Sequence, residues 1–406
     1  MALPDIKIEL GLDFTNLPLG EFFTLDSDTR GRLDNTEFGL GGTIFFDVTD
    51  RAKNFQISRG KPRRFSTFPA GGGGIRFNNH DRAFDPLNTT SPFAGQIIPR
   101  REIRITVGTA VQFTGYVDDW NLQYSLDGDS TADAVAADVT SWFAKQILSA
   151  GTPVAELSGA RINDILDSPE VDWSDTLRDI DPGNKILGTQ EIEANTNALS
   201  YLQKVAETEQ ALLFINKDGA LRYQVVEGFP TSDSLTVFGQ GTGIPYSGIQ
   251  VIYGSELLYN EVTIANEGGT SFTAINQDSV DEYGVRALAI TDLLGNADSQ
   301  SETLANNLVR QYAQPEYRIE VLQVNLHALT ESEQNEVLAL EIGDTTKVEF
   351  KPNDIGDKIE RYVRIISIKH DVNPQSHILR FGFQETQLRI VLDDAVFGKL
   401  DIGTLA

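Results

Sequence analysis

Short runs in which apolar and polar residues alternate dominate the first 145 residues of the chain. They lie at residues 42–48, 55–58, 75–78, 103–107 and 111–117, and turn residues separate them. Alternation with period two between turns is typical of antiparallel strands in a barrel or sandwich. We therefore predict an N-terminal β-barrel module over residues 1–145. The four glycines at 71–74 within it predict a flexible loop or a position where backbones approach closely.

The pattern changes period between residues 146 and 250. Leu199, Leu202 and Val205 recur at helical spacing, which predicts a helix. Two apolar runs then flank the Asp-Gly pair at 218–219, and this arrangement is a strong signal for a β-hairpin. A helix followed by a hairpin predicts a small α+β domain over residues 146–250.

Strand-like alternation returns after residue 250. We assign residues 251–285 and 336–390 to a second β-barrel module, residues 286–335 to a helix–strand insert and residues 391–406 to a C-terminal tail. Within the insert, Ser299-Gln-Ser-Glu302 has the spacing of a helix capping box.

The two β modules show a similar order of runs. Strands predicted at 103–107, 113–117 and 120–124 have counterparts at 346–350, 362–366 and 378–383. This order favours an internal duplication, although any two antiparallel meanders look alike. The predicted fold is mainly β with α+β inserts, and two related antiparallel β-barrel modules flank the small α+β domain.

Charge and composition restrict the function. The 406 residues include 33 Lys and Arg against 59 Asp and Glu, which gives a net charge of −26. Phosphates are bound by clustered cations, so this charge argues against nucleic-acid binding as the main function. The lack of cysteine excludes disulfides, thiolate metal sites and cysteine nucleophiles. With no secretory start and no apolar run of about 18 residues, we expect no membrane span and assembly in a cytoplasm.

Familiar catalytic signatures, such as a phosphate-binding loop or a His-Glu-x-x-His motif, are missing from the sequence. His370 and His377 flank a predicted turn and would hold a metal only if they faced each other; we predict that they are exposed. Asp118 and Asp119 beside Trp120 resemble a glycosidase site, but adjacent acids are expected by chance in so acidic a chain. We predict no catalytic residue, no cofactor and no metal, and keep glycoside hydrolysis as the alternative.

The positive charge is concentrated in one segment. Residues 51–104 carry eleven basic and three acidic residues, a balance of +8 against −34 for the remainder. Such a segment can dock onto acidic surfaces of its own chain or of a partner, or it can form a solvated basic face. Arg63, Arg64, Arg100 and Arg101 are the candidates for subunit or partner contacts, with simple exposure as the alternative.

An ordered set of motifs resembles a known family. The set resembles the N-terminal part of the minor tail proteins of long-tailed phages, and the likeness extends over residues 45–385. Its parts are Val48-Thr-Asp50, Phe55-Gln-Ile-Ser-Arg-Gly60, Phe65-Ser-Thr-Phe-Pro-Ala-Gly71, Asn78-Asn-His-Asp-Arg-Ala-Phe-Asp-Pro86, Ser91-Pro-Phe93, Pro99-Arg-Arg-Glu-Ile-Arg-Ile105 and Phe113-Thr-Gly-Tyr-Val117. The first forty residues lie outside the resemblance.

The resemblance implies a tail-tip or baseplate hub without catalytic residues. Such a hub forms a homotrimeric ring in which two barrels per copy give six similar units, so that a threefold tip meets a sixfold tail tube. The implied partners are distal tail or tail-tube ring proteins, tip or fibre proteins and the end of the tape-measure protein, and DNA passes through the ring without specific binding. The implied location is the tail tip of the virion. The alternatives are a distal tail ring protein, a carbohydrate-binding tail module and a glycosidase tail module.

Overall fold

The chain folds mainly into β-strands, which confirms the predicted fold class. The computed structural model describes residues 3–13, 43–126, 128–226, 235–239, 241 and 243–385. The predicted C-terminal tail, 391–406, and most of the first forty residues lie outside this range. None of the helices in these residues is long and apolar enough to cross a membrane.

Seven strands form the first β module. They lie in the sheet in the order β2–β1–β5–β6–β7–β4–β3, and all their pairings are antiparallel. Their bounds are β1 Ile6–Asp13, β2 Thr43–Asp47, β3 Ala52–Gly60, β4 Gly72–Asn78, β5 Arg101–Val107, β6 Ala110–Gln123 and β7 Thr131–Ala137.

The middle α+β unit follows and has its own apolar core around Phe143, Leu202 and Tyr223. The predicted helix and hairpin are confirmed in α3, β13 and β14. The elements of the unit are α1 Thr140–Phe143, β8 Ile147–Leu148, β9 Glu156–Leu157, α2 Ser158–Leu166, β10 Arg178–Ile180, β11 Ile186–Leu187, β12 Thr196–Asn197, α3 Ala198–Glu209, β13 Leu212–Ile215 and β14 Leu221–Gln224.

The second β module shares one sheet with the first. Its strands are β15 Val237–Phe238, β16 Gly248–Tyr253, β20 Tyr317–Asn325, β21 Thr345–Phe350, β22 Ile359–Asn373 and β23 Ser376–Glu385, and helix α6, Glu331–Ala339, precedes β21. Strand β22 pairs antiparallel with β3, from Gly60 opposite Ser367 to Phe55 opposite Val372. The two modules therefore form a continuous sheet over a common apolar core.

A separate unit interrupts the second module and corrects two predicted boundaries. It consists of β17 Glu261–Asn266, β18 Phe272–Ile275, α4 Gln277–Tyr283, β19 Ala287–Leu293 and α5 Asp298–Tyr312. Most of 251–285, assigned to the second barrel, thus belongs to this helix–strand unit, whereas β20, assigned to the 286–335 insert, belongs to the large sheet. The unit's core buries Val262, Ile264, Leu304 and Leu308, so that α5 covers its small sheet.

The predicted duplication is present as a repeated strand order. The order β3–β4–β7–β6–β5 in the first module matches β16–β20–β23–β22–β21 in the second. The predicted counterpart of residues 378–383 was wrong, however. Residues 120–123 continue the long strand β6, and β7 is the strand equivalent to β23.

The repeat extends to individual backbone features. The register shifts between Val117 and Asp119 in β6, and at the equivalent place between Ile365 and Ser367 in β22. The first residue of each shift accepts a matching hydrogen bond on its carbonyl, from Arg100 N at 2.6 Å and from Gly343 N at 2.8 Å. We therefore treat β6 and β22 as equivalent strands.

Candidate subunit interface

Arg63 and Arg64 lie in the loop that follows β3. Arg63 is exposed, and its Nη1 lies 2.8 Å from Oε1 of Glu256. The guanidinium of Arg64 lies over the ring of Tyr312, 5.0 Å from its centroid. Both arginines line a cavity of about 70 Å³, and Ile252 of β16 lines it too. This pair therefore lies beside β16 of the second β module.

Arg100 and Arg101 lie at the start of β5. The backbone of Arg100 has a φ of +69°, and its guanidinium lies over Tyr116, 4.6 Å from the ring centroid, and 3.6 Å from Asp118. Arg101 is held by its own chain, because its Nε and Nη2 donate to the carbonyl and side-chain oxygens of Gln96 at 3.1 and 2.6 Å. Arg100 is therefore the more available of the two.

The four predicted interface arginines do not form one cluster. Three strands, β4, β7 and β6, separate β3 from β5 in the sheet. Each pair instead lies beside a different strand edge, Arg63 and Arg64 by β16, and Arg100 and Arg101 by β6. Their contact with a partner stays a prediction.

Two of the strand edges that lack a partner among the described residues lie beside these arginines. Strand β16 pairs with β20 on one side only. In β6 the pairing with β5 ends at Val117, while the pairing with β7 continues to Gln123, so that residues 118–123 have one free edge. Exposed backbone N–H and C=O groups at such an edge can pair with another chain.

The sequence interpretation missed β16 as part of an interface. It placed a domain boundary between residues 250 and 251, inside this strand. The signal that could have found the strand is the run Ile249-Gln-Val-Ile-Tyr253, which is β-branched and aromatic.

Most of the basic segment 51–104 is neutralised within the chain. Eight of its eleven cations make ion pairs with carboxylates of this chain, and they are Arg51, Lys53, Arg59, Arg63, Arg76, Arg82, Arg100 and Arg104. Lys61, Arg64 and Arg101 make no such pair with the described residues. Three of these pairs lie within the segment and five reach carboxylates elsewhere in the chain, so the interpretation that the segment docks onto acidic surfaces of its own chain is supported for five of its cations.

The histidine prediction was wrong about exposure. His370 and His377 are buried, and Nδ1 of His370 lies 3.0 Å from Nε2 of His377. Burial lowers the pKa of His377 to about 4 and lowers that of His370 well below its usual value. The two imidazoles thus form a neutral hydrogen-bonded pair. Over the part of the chain that the structure describes, no three His, Asp or Glu side chains are placed to hold a metal.

The three tryptophans of the chain pack against its apolar cores. Trp120 stacks on Phe84, with ring centroids 5.6 Å apart, at the border of the large core. Trp142 and Trp173 are distant in sequence but adjacent in space, with centroids 5.5 Å apart against the core of the middle unit. These contacts give the tryptophans a packing role.

Comparison with known proteins adds a likeness in fold. The sequence matches no protein-family model, and no curated protein matches it. The tail protein from Neisseria meningitidis MC58 superposes with a TM-score of 0.59 at 10% identity, over 84% of this chain and 94% of that one. The 43 kDa tail protein of prophage MuSo2 from Shewanella oneidensis gives 0.58 at 13% identity, over 94% and 98%.

The chain has the fold of these two tail proteins. At such low identity the likeness concerns the fold alone. It extends over most of each chain, so both β modules and the units between them belong to the shared architecture.

Proposed function

We propose that this protein is a structural hub of a phage tail tip or baseplate, and that three copies form a closed ring. Six β modules in the ring would then face a sixfold tail tube, while the threefold side would carry tip or fibre proteins. The observation that carries the proposal is the repeat within the chain. Strands β3 and β22 pair with each other inside the molecule, whereas their equivalents in the other module, β16 and β6, each have a free edge.

The equivalence of the strands is fixed residue by residue. Rows of directly opposed residues cross four strands in each module and occupy matching positions. These rows are Phe55, Ile75, Ala134 and Trp120 in the first module, and Ile249, Leu322, Phe381 and Ile368 in the second. Strand β3 is thus equivalent to β16, and β6 to β22.

The internal junction serves as the pattern for contact between copies. Within the chain, β3 of the first module pairs with β22 of the second, and Gln56 lies opposite Asp371. The equivalent strands are β16 and β6, both with a free edge. By the same register, Gln250 of one copy lies opposite Gln123 of the next. Because the two edges differ, the contact is head to tail, and such contacts close into a ring when the rotation permits.

The exposed sheet face suits a channel. In β4, Ile75 and Phe77 point into the core, so Arg76 lies on the opposite face. Its Nε and Nη2 donate to the two carboxylate oxygens of Asp133 at 2.7 and 2.9 Å, which neutralises its charge. A lining whose cations are paired in this way would let DNA pass without holding its phosphates. The tube ring, the tip proteins and the tape-measure end are the partners that this position implies.

Cysteine pairs test the proposed contact directly, because the natural chain has no cysteine. Gln123→Cys combined with Gln250→Cys places two thiols on directly opposed residues, within the Cα distance of a disulfide. Oxidation is expected to give covalent trimers on a denaturing gel without reductant. The matched control combines Gln250→Cys with Asn121→Cys, two residues out of register on the same face, and is expected to cross-link much more weakly.

Copy number separates the hub from the distal ring protein. The hub is expected at three copies in each assembled tail, counted by quantitative mass spectrometry against the tube protein. Six copies in each tail would contradict the proposed role as a hub. In the cross-linking experiment, equal yields from the two cysteine pairs would contradict the proposed register between β16 and β6.

A further inference from the structure

A cavity of about 200 Å³ lies where the loop after β3 meets the middle α+β unit and β19. One part of its wall is apolar and includes Phe68, Leu213 and Ile290, and the other part is polar and includes Lys61, Arg64 and Gln384. We call it the Lys61 cavity. It is large enough for a short side chain or a small organic molecule, and its lining has the mixed character of a ligand site.

Lys61 and Arg64 line the polar wall of the Lys61 cavity, and a third cation, Arg364, lies close to both. Lys61 and Arg364 are more than nine-tenths buried, at 8% and 7% exposure. Arg364 lies directly opposite Gln384 in the pairing of β22 with β23, and therefore shares the sheet face of that lining residue. Arg64 lies close enough to lower the pKa of both Lys61 and Arg364.

These cations have no anionic partner in the residues that the structure describes. The Nζ of Lys61 donates to the carbonyl oxygen of Arg64 at 2.7 Å and lies 5.0 Å from the centroid of the Phe68 ring. The Nε of Arg364 is buried without an acceptor. Glu207 also lines the cavity but makes no ion pair with any of the three.

A cation that is buried without an anionic partner destabilises the fold, because it loses contact with water and no counter-charge compensates for the loss. Burial, together with the nearby charges of Arg64 and Arg364, lowers the pKa of Lys61 to about 7. The neighbouring basic residues of the segment 51–104 are compensated by carboxylates, whereas this cluster is not. An anion bound in the cavity would supply the missing charge.

We propose that the Lys61 cavity binds a carboxylate carried on a short apolar stem. The carboxylate would accept hydrogen bonds from Lys61 and Arg64, with Arg364 adding its charge from behind. The stem would lie against Phe68, Leu213 and Ile290. Inorganic phosphate fits less well, because it would leave the apolar wall without a contact.

Thermal unfolding with sodium hexanoate tests the proposal on the full chain. At constant ionic strength, hexanoate is expected to raise the Tm saturably, while sodium chloride and the neutral analogue hexanol are not. Lys61→Met keeps the stem of the side chain and removes its charge; it is expected to weaken hexanoate binding at least about tenfold. Without ligand, Lys61→Met is expected to be no less stable than the natural chain.

Further variants keep the test decisive. Arg364→Leu is expected to weaken binding like Lys61→Met, and provides the result if that variant fails to fold. Lys53→Met removes a lysine of β3 that is paired with Asp129, and the variant is expected to bind hexanoate normally. Equal responses to hexanoate and hexanol, or wild-type affinity in both Lys61→Met and Arg364→Leu, would overturn the proposal.

Two probes distinguish the two possible sources of the carboxylate. Acetyl-glycyl-leucine with a free carboxylate, compared with its amide, represents the end of a protein chain, and hexanoate represents a free fatty acid. Tighter binding of the peptide acid identifies a chain terminus as the ligand, and tighter binding of hexanoate identifies a small molecule. Saturable binding of neither probe overturns the proposal.

Discussion

The buried pair His370 and His377 shows how a few side chains make stability depend on pH. In the folded chain the pKa of His377 is lowered to about 4 by burial, and that of His370 lies well below its usual value. In the unfolded chain both return to about 6.5. Below this pH the unfolded chain binds protons that the folded chain does not, so the folded state loses stability as the pH falls.

We predict that the free energy of unfolding falls as the pH is lowered from 6.5 to 4, because the two histidines have lower pKa values in the folded chain than in the unfolded chain. Replacing both residues, His370→Gln with His377→Gln, is expected to flatten the curve between pH 6.5 and 5, where few carboxylates titrate. Urea unfolding, followed by fluorescence at a series of pH values, measures the free energy of unfolding of each variant. His80→Gln is the control, because His80 is exposed. An unchanged pH dependence in the double variant would contradict the prediction.

The buried pair Arg59 and Glu341 joins three parts of the chain. Nη1 and Nη2 of Arg59 donate to the carboxylate of Glu341 at 3.1 and 2.5 Å, and the same carboxylate accepts the backbone N–H of Lys217 at 2.9 Å. Arg59 is 4% exposed, so removing its partner leaves a buried charge. The pair therefore fixes β3, the hairpin of the middle unit and the loop before β21 to one another.

We predict that Glu341→Gln destabilises the protein by about 3 kcal/mol, because it leaves Arg59 buried without a counter-charge. Glu256→Gln is the matched control, since it breaks the exposed pair with Arg63 and is expected to cost less than about 1 kcal/mol. Equilibrium unfolding in urea compares the two variants. Equal losses would show that burial does not determine the contribution of these pairs.

At the scale of elements, the glycines of β4 have unequal roles. A Cβ on Gly73 would lie 2.9 Å from the Phe113 ring, whereas a Cβ on Gly74 would meet nothing within 4 Å. Of the two sequence interpretations, a flexible loop is wrong for residues 72–74, which form a strand. The other interpretation, a close approach of two backbones, is also not what the structure shows, because the close neighbour of Gly73 is the side chain of Phe113 in β6.

We predict that Gly73→Ala destabilises the protein by about 1–3 kcal/mol through overpacking against Phe113. Gly74→Ala is expected to be neutral or stabilising by up to about 1 kcal/mol, because alanine restricts the unfolded chain. Urea unfolding of the two neighbouring variants tests this contrast. A larger loss for Gly74→Ala than for Gly73→Ala would contradict it.

The alternation of apolar residues predicted the strands well, because it depends on each strand having one buried face. It did not separate β6 from a second strand at 120–124, since the register shift near Val117 breaks the alternation inside one continuous strand. The same local patterns suggested a capping box at 299–302. Helix α5 begins at Asp298 without a side-chain cap, and the capping box lies at Thr330 and Glu333 of α6.

The candidate site was only partly predictable. The sequence singled out four arginines from charge alone, yet a charge pattern does not show which cations meet a carboxylate. Arg63 forms an ion pair with Glu256 and Arg100 with Asp118, while Arg101 donates a hydrogen bond to Gln96. The pairing of β3 with β22 joins residues about 300 positions apart. Such contacts, and the free edges that they define, follow from topology and not from any local pattern.

At the scale of the whole molecule, the two β modules form one sheet, and only one of the two equivalent junctions between modules is made within the chain. Within the chain β3 meets β22, and between copies β16 would meet β6 in the same register. A ring built in this way needs two modules in each chain and two free edges that differ from each other. A head-to-tail contact of this kind pairs the β16 and β6 edges of every copy only if the ring closes.

The most direct test of the ring is the mass of the purified natural chain in solution, measured by light scattering over a range of concentrations. We expect a particle of three times the 44.7 kDa chain mass that persists on dilution to the micromolar range. A monomer at every concentration, or a ladder of open oligomers without a preferred size, would contradict the closed ring of three copies.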